Sequence, residues 1–211
     1  MRKQLCMLLA RYAGQTITKE LAVEMLREIF PDRTLEPKAF GTQQYKGYTF
    51  EVELLRDILE EIKPLELERY AQDEMGKAGY DFDPDTEDLM EREYAGGLLQ
   101  STSRTSEGAL VGYMRVYLTR SKDTDTLVCS DAAFYVTPAH RGGFMAVNLW
   151  KFTEQCVVAA GAREIYCATK LANNVGSMAR RLGYLPTALL YCKVIPNHAQ
   201  ECSEEKEACY G

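Results

Sequence analysis

The sequence has little histidine and no paired cysteine motif. His140 and His198 are its two histidines. Its seven cysteines are Cys6, Cys129, Cys156, Cys167, Cys192, Cys202 and Cys209, and none are spaced Cys-x-x-Cys. That combination argues against a zinc site. It also leaves Cys129 and Ser130 without a recognisable histidine partner, so a Ser–His or Cys–His nucleophile is not supported. No apolar run is long enough to span a membrane. Arg2 and Lys3 precede a short apolar run, but Arg11 ends it too early for a signal peptide. Positive charge is not in surplus: 25 Lys and Arg face 31 Asp and Glu, a net −6, which disfavours broad nucleic-acid binding. An odd number of cysteines, mostly inside apolar runs, suits reduced thiols. The expectation is a cytoplasmic protein that engages neither nucleic acid nor membrane.

A chain of 211 residues can build one substantial core and an appendage. Leu5, Leu8, Leu9 and Tyr12 share a helical face that Gly14 closes. Thr18 is a plausible N-cap for a second helix carrying Ala22, Met25, Leu26 and Ile29, which ends before Pro31. Residues 32–47 read as irregular. Tyr48, Phe50, Val52 and Leu54 alternate as a half-buried strand. A helix with Leu55, Ile58, Leu59 and Ile62 follows, is broken or kinked by Pro64, and resumes from Leu65 to Met75. Residues 76–85 read as loop and 86–94 as a short acidic helix. Strands are expected at 98–103, 109–119 and 127–136, with Glu107–Gly108 turning the first pair. A helix with an inward stripe of Met145, Leu149, Phe152, Cys156 and Ala160 comes next, then a buried strand at 163–168. A helix opened by Asn173 or Asn174 closes at Gly183, and final strands run from 184 to 195. The tail, 196–211, is acidic and aperiodic.

Asp131–Ala160 is the organising stretch. A β-branched and aromatic run ends at Val136, a Pro-Ala-His-Arg-Gly-Gly turn follows, and then a long helix. Strand, glycine turn and helix N-terminus suit a phosphate, because the first-turn amides are unpaired and glycine lets an anion approach. Charge agrees. Between Pro138 and Ile195, seven basic residues (Arg141, Lys151, Arg163, Lys170, Arg180, Arg181, Lys193) stand against two acids, Glu154 and Glu164.

Arg141-x-x-Phe144-x-Ala146 resembles the Arg/Gln-x-x-Gly-x-Gly/Ala pyrophosphate motif of the GNAT superfamily, the Gcn5-related N-acetyltransferases. Phe144 stands where the family has glycine, and Gly142–Gly143 come earlier. Glu61-Ile62-Lys63-Pro64-Leu65, Val111-Gly112-Tyr113, Asp131, Pro138-x-x-Arg141-Gly142 and Arg181-Leu182-Gly183-Tyr184 are similar, in order and spacing, to landmarks of a phage and bacterial branch. The resemblance spans about Tyr48 to Ile195. It implies an α/β (α+β) fold: a GNAT-type mixed, mostly antiparallel central sheet flanked by helices, with an N-terminal helical extension. Residues 1–47 would be that extension, 48–195 the acetyltransferase-like domain and 196–211 the tail.

By the same resemblance the cofactor is acetyl-CoA. Arg141 and the amides of Gly142, Gly143, Phe144, Met145 and Ala146 would hold its pyrophosphate. Tyr135, Val136 and Asn173 or Asn174 would hold the pantetheine arm, although helix capping is the plainer role for the asparagines. Asp131, an acid in an apolar strand, is the candidate base. The tyrosine that many members place four residues before the Gly-Phe/Tyr pair is Ala179 here, so Tyr191 is the substitute acid. Asp81, Asp83 and Asp85 would border an acceptor amine or simply make a turn and a helix cap. Two functions stand open. One is direct acetyl transfer to a primary amine, on a small molecule or a protein. The other is a catalytically degenerate GNAT-fold binding or virion-associated structural protein. The N-terminal helices would pack in cis, form a homo-oligomer or meet a virion or host protein; a phage-encoded enzyme would work in the host cytoplasm.

Overall fold

The computed structural model describes residues 2–29, 32–72, 81–141, 143–169 and 175–188. Two compact units divide the chain, Met1–Thr169 and Lys170–Gly211. The first unit holds a six-stranded sheet in the order β1-β2-β3-β4-β5-β6. Its strands are β1 Thr42–Tyr45, β2 Tyr48–Val52, β3 Leu98–Thr105, β4 Leu110–Arg120, β5 Leu127–Val136 and β6 Glu164–Tyr166. Neighbours are antiparallel except β5 and β6, which are parallel. The mixed, mostly antiparallel sheet is the architecture expected.

Helices cover both faces because the strands alternate. Tyr113 and Tyr135 are cross-strand partners, and with Leu98 and Ala133 they pack under α3 (Leu55–Gln72) and α4 (Thr86–Tyr94) through Leu55, Ile58, Ile62 and Leu89. Phe50 and Phe134 face the other way. They meet Phe152 and Trp150 of α5 (Met145–Ala159) at ring separations of 6.4 and 5.2 Å. The N-terminal helices α1 (Arg2–Arg11) and α2 (Lys19–Ile29) are present, with Thr18 Oγ1 accepting from Leu21 N–H as an N-cap should.

Four local expectations are corrected. Residues 32–47 are not irregular throughout: Pro37–Phe40 is a 3-10 turn, and Thr42–Tyr45 pairs with β2. Lys46 and Gly47 both adopt positive φ, 47° and 83°, and form a two-residue turn whose twist matches the flanking strands. Pro64 does not split α3, which runs on to Gln72. Its missing N–H and ring clash act locally, and packing on both sides carries the helix past it. The expected continuation to Met75 lies outside the described residues. The β6 strand is shorter than expected and not buried, because among the described strands it is the sheet's last, paired on one side only. Residues 184–188 form no regular strand, and 189–195 and the tail lie outside the described residues.

In the second unit α6 (Val175–Arg181) is closed by Gly183 at φ 94°. Tyr184 N–H reaches Ala179 O and Gly183 N–H reaches Arg180 O, the paired bonds of a glycine C-cap.

Candidate functional site

β5 leaves its parallel neighbour early. Val128, Cys129 and Ser130 pair with β6, and pairing stops there. From Asp131 to Val136 the strand has β4 on one side. Thr137 N–H donates to Val111 O, so the alternation of an antiparallel ladder turns the backbone groups of Phe134 and Val136 away from β4. Those of Tyr135 face β4. Among the described residues, one edge of β5 has no strand partner beyond the point of divergence.

Asp131 sits at that point. Its Oδ1 accepts the Ala168 N–H at 2.7 Å, where the ladder would otherwise have continued. Ala132 is the unpaired residue of a bulge in β5, opposite the step from Arg115 to Val116. Burial raises the Asp131 carboxyl above the usual carboxylate range, with the Ala168 and Asp131 amides pulling the other way. Its neighbours Cys129 and Cys167 are pushed up to about 12 and about 11, first by burial and then by the Asp131 charge. Both are therefore thiols at neutral pH, which gives neither the reactivity of a thiolate nucleophile.

The turn after β5 is held from two directions. Pro138–His140 is a 3-10 turn, and His140 Nδ1 lies 2.9 Å from the Tyr48 hydroxyl, with the two rings edge to face at 5.7 Å. Gly143 takes φ 75°, the left-handed region open to glycine. Phe144 is the N-cap of α5 and makes no side-chain cap; the helix has no acid in its first turn. The contrast with α4 is informative. There Asp85 accepts from Asp88 N–H at 2.9 Å, and Glu87 and Asp88 fill the first turn. At α5 the first-turn amides of Met145 and Ala146 meet no side-chain acceptor among the described residues, the state that favours an anion. Phe144 is 64% exposed, and its carbonyl accepts Asn148 N–H at 2.8 Å and Asn148 Nδ2 at 2.7 Å.

Arg141 is braced rather than extended. Its Nε donates to Val136 O at 2.7 Å, its Nη2 donates to Gln72 Oε1 at 2.7 Å, and its guanidinium stands 5.1 Å from the Tyr135 ring centre. Gln72 Nε2 donates in turn to the Tyr135 hydroxyl at 3.2 Å. Deeper in, Arg115 of β4 pairs with Glu66 of α3 at 2.5 Å and donates to Gln100 Oε1 at 2.9 Å. Arg69 Nε donates to the Tyr113 hydroxyl at 3.1 Å.

Of the residues singled out from sequence, Tyr135, Val136, Arg141, Gly143, Phe144, Met145 and Ala146 come together at the end of β5. Asp131 lies lower on the same strand. Gly142, Asn173, Asn174 and Tyr191 lie outside the described residues. Asp85 is a helix cap, and Ala179 is the buried residue of α6. Tyr48, His140, Gln72 and Arg115 were not singled out. Arg115 carried a readable signal, a cation inside the apolar run Val111–Leu118; Gln72 and Tyr48 carried none.

No protein-family model matches the sequence, and comparison with curated proteins finds no match. Solved structures do match the fold. The chain is similar to the aminoglycoside acetyltransferase meta-AAC0020 from an uncultured soil metagenomic sample, in complex with sisomicin, at 13% identity and TM-score 0.57, over 71% of this chain and 97% of that one. It is similar to a ribosomal-protein-alanine N-acetyltransferase from Brucella melitensis biovar Abortus 2308 at 18% identity and TM-score 0.53, over 71% and 100%. It is also similar to AAC(6')-Iy, in complex with the bisubstrate analogue CoA-S-monomethyl-acetylneamine, at 18% identity and TM-score 0.52, over 71% and 100%. The chain has the fold of the GNAT acetyltransferases.

Proposed function

We propose that the protein is an acetyl-CoA-dependent N-acetyltransferase that moves an acetyl group directly to a primary amine. The observation that carries this reading is the offered edge of β5 running into a helix N-terminus with no side-chain cap and no acid. That arrangement fits a long cofactor with an amide-rich arm and a pyrophosphate. The Met145 and Ala146 amides would hold the pyrophosphate, with Gly143 giving close approach and Arg141 adding charge. The outward backbone groups of Phe134 and the Val136 N–H would hold the arm as an added strand, the Val136 carbonyl being taken by Arg141 Nε.

Acetyl-CoA supplies an acetyl group activated as a thioester. The chain has to align the amine and accept its proton. Holding the amine beside the reacting carbon removes much of the entropic barrier. Asp131, with its carboxyl raised above its ordinary value by burial, would accept the proton, directly or through water. The protonated state of Cys129 and Cys167 supports direct transfer over a covalent enzyme intermediate. The similar structures include an aminoglycoside acetyltransferase and a ribosomal-protein-alanine N-acetyltransferase. The acceptor class here is accordingly an amine on a small molecule or a protein, and the order of sequence landmarks supports the phage and bacterial branch. The second reading, a binding module that has kept the fold, is favoured by one observation: Ala179 fills the position where many members carry the acid tyrosine.

The test is thermal unfolding with acetyl-CoA, for the wild type and Ala146→Asp. At a hundred times the dissociation constant, ligand adds about 2.7 kcal/mol. For a chain of this size that is roughly a 5–10 °C rise. An acid in the first turn of α5 favours the helix by about 0.3–1 kcal/mol but repels a pyrophosphate. Ala146→Asp should therefore unfold no earlier than the wild type and show no ligand shift. No shift in the wild type would overturn the cofactor reading. A shift without acetylation of any amine offered would favour the binding module.

A further inference from the structure

We infer that Gln72, the last residue of α3, is a positioning residue that aims Arg141 at the anion site; this rests on the cofactor reading above. A guanidinium has five N–H donors in a rigid fork. In Arg141 the Nε donor is spent on Val136 O and one Nη2 donor on Gln72 Oε1. Both bonds lie along one edge of the fork. The remaining donors, Nη1 included, have no acceptor among the described residues. The Tyr135 ring lies against the guanidinium, and Gln72 Nε2 fixes the Tyr135 hydroxyl. The three side chains close a ring of contacts in which each holds the next.

Such bracing has a consequence for affinity. A free arginine side chain has about 2 kcal/mol of rotamer entropy to lose when it grips an anion. An arginine already fixed along one edge has lost most of it, so the anion meets a preorganised donor set. Gln72 is suited to the task for a specific reason. As a neutral amide it accepts from Arg141 without cancelling its charge. A glutamate there would hold the side chain as firmly and neutralise it. Gln72 also belongs to the helix that packs on β4 and β5, so the aim of the cation is set by the sheet rather than by the turn alone.

The experiment is a double-mutant cycle read by calorimetric binding of coenzyme A to the full chain, at fixed salt. Gln72→Met keeps side-chain length and helix propensity but offers only a weak sulfur acceptor and no donor. It should weaken coenzyme A about tenfold, one charge-assisted contact's worth. In an Arg141→Ala background the same change should alter the dissociation constant by less than about twofold, because Gln72 acts through Arg141. Equal factors in the two backgrounds would show a merely structural role and overturn the inference, as would no effect in the wild-type background. Gln72→Glu is the control for folding. It keeps the acceptor, should keep the unfolding midpoint, and should still weaken coenzyme A; wild-type affinity in that variant would overturn the inference. A wild type that binds no coenzyme A would overturn the cofactor reading and this inference with it. Binding that is insensitive to Gln72 would overturn this inference alone.

Discussion

At the scale of single residues, the seam between β4 and β5 depends on Gly112. A Cβ built there would lie 3.1 Å from Tyr135 O and 3.2 Å from Val136 Cγ2, with Leu149 Cδ2 at 3.6 Å. Backbone is on one side, so the side chain cannot be accommodated by a rotamer change. Across the sheet Gly112 pairs with Ser103, which is fully buried and whose hydroxyl has no hydrogen-bond partner among the described residues. Both small residues sit beneath α5, yet they should respond oppositely to alanine. Gly112→Ala should cost about 1–3 kcal/mol by overpacking. Ser103→Ala removes an unsatisfied polar group at nearly the same volume and should be neutral or stabilising by about 1 kcal/mol. Urea unfolding of the two variants checks this. Equal losses would mean that α5 is not seated on the sheet as described. Gly112 belongs to a landmark legible in the sequence, but its reason was not: a close approach between strands 24 residues apart in sequence is a property of the fold.

At the scale of elements, α3 changes character along its length. Its first half buries Leu55, Ile58 and Ile62; its second half turns Glu66, Arg69 and Gln72 towards Arg115, Tyr113 and Arg141. The apolar half announces itself by periodicity. The polar half reads as an ordinary solvated face, because its partners lie on other strands. The start of α3 shows the same thing. Its first amide, Leu55 N–H, is capped by the Glu93 carboxylate of α4, and Arg56 Nε lies 3.6 Å from the same group. No local cap residue could have revealed this. Local signals did expose the glycine turn, the bounds of α4 and the β5 strand, since each is decided by neighbours in sequence. The four-residue β1 was hidden by its polar composition, which half-exposed pairing tolerates.

Glu93 also carries a pH signature. Burial raises its carboxyl above the ordinary value, while the Leu55 amide and the Arg56 charge pull it down. A folded value above the unfolded one means that the folded state binds the proton more tightly. The stability this contributes is fully present below the unfolded value of about 4.3 and is lost as pH rises through the folded value. Glu93→Gln keeps an acceptor for Leu55 N–H and cannot ionise. It should be as stable as the wild type at pH 4 and equally or more stable at pH 7. The difference between the two, followed by urea unfolding across that range, should grow with pH. A difference that instead shrinks with rising pH would mean the ionised carboxylate is the favoured cap.

At the scale of the molecule, the question is where the sheet-bearing unit begins. The helices α1 and α2 invite the view that everything before β2 is an appendage, yet residues before β2 also touch the sheet-bearing core. Arg33 N–H donates to Tyr94 O at 2.7 Å, and a Cβ on Gly96 would lie 2.5 Å from Arg33 O, so the chain is already against the core there. Asp32 Oδ1 accepts Thr34 N–H at 2.9 Å and fixes the approach. Ten residues later β1 takes up the free edge of β2. Removing β1 would expose that edge, and an unpaired edge is both less stable and prone to pair with other chains. A chain starting at Asp32 and one starting at Tyr48 therefore separate two contributions that a single truncation would confound. The 32–211 chain should fold and keep its response to acetyl-CoA, since neither α1 nor α2 supplies a residue of the proposed site. The 48–211 chain should unfold about 2–8 °C lower than the 32–211 chain, the equivalent of losing about 1–2 kcal/mol, and should associate as concentration rises. Thermal unfolding and light scattering on the two chains decide it. Equal midpoints would mean that β1 is an ornament on the sheet, and loss of the ligand response in the longer chain would mean that the helices reach the site after all.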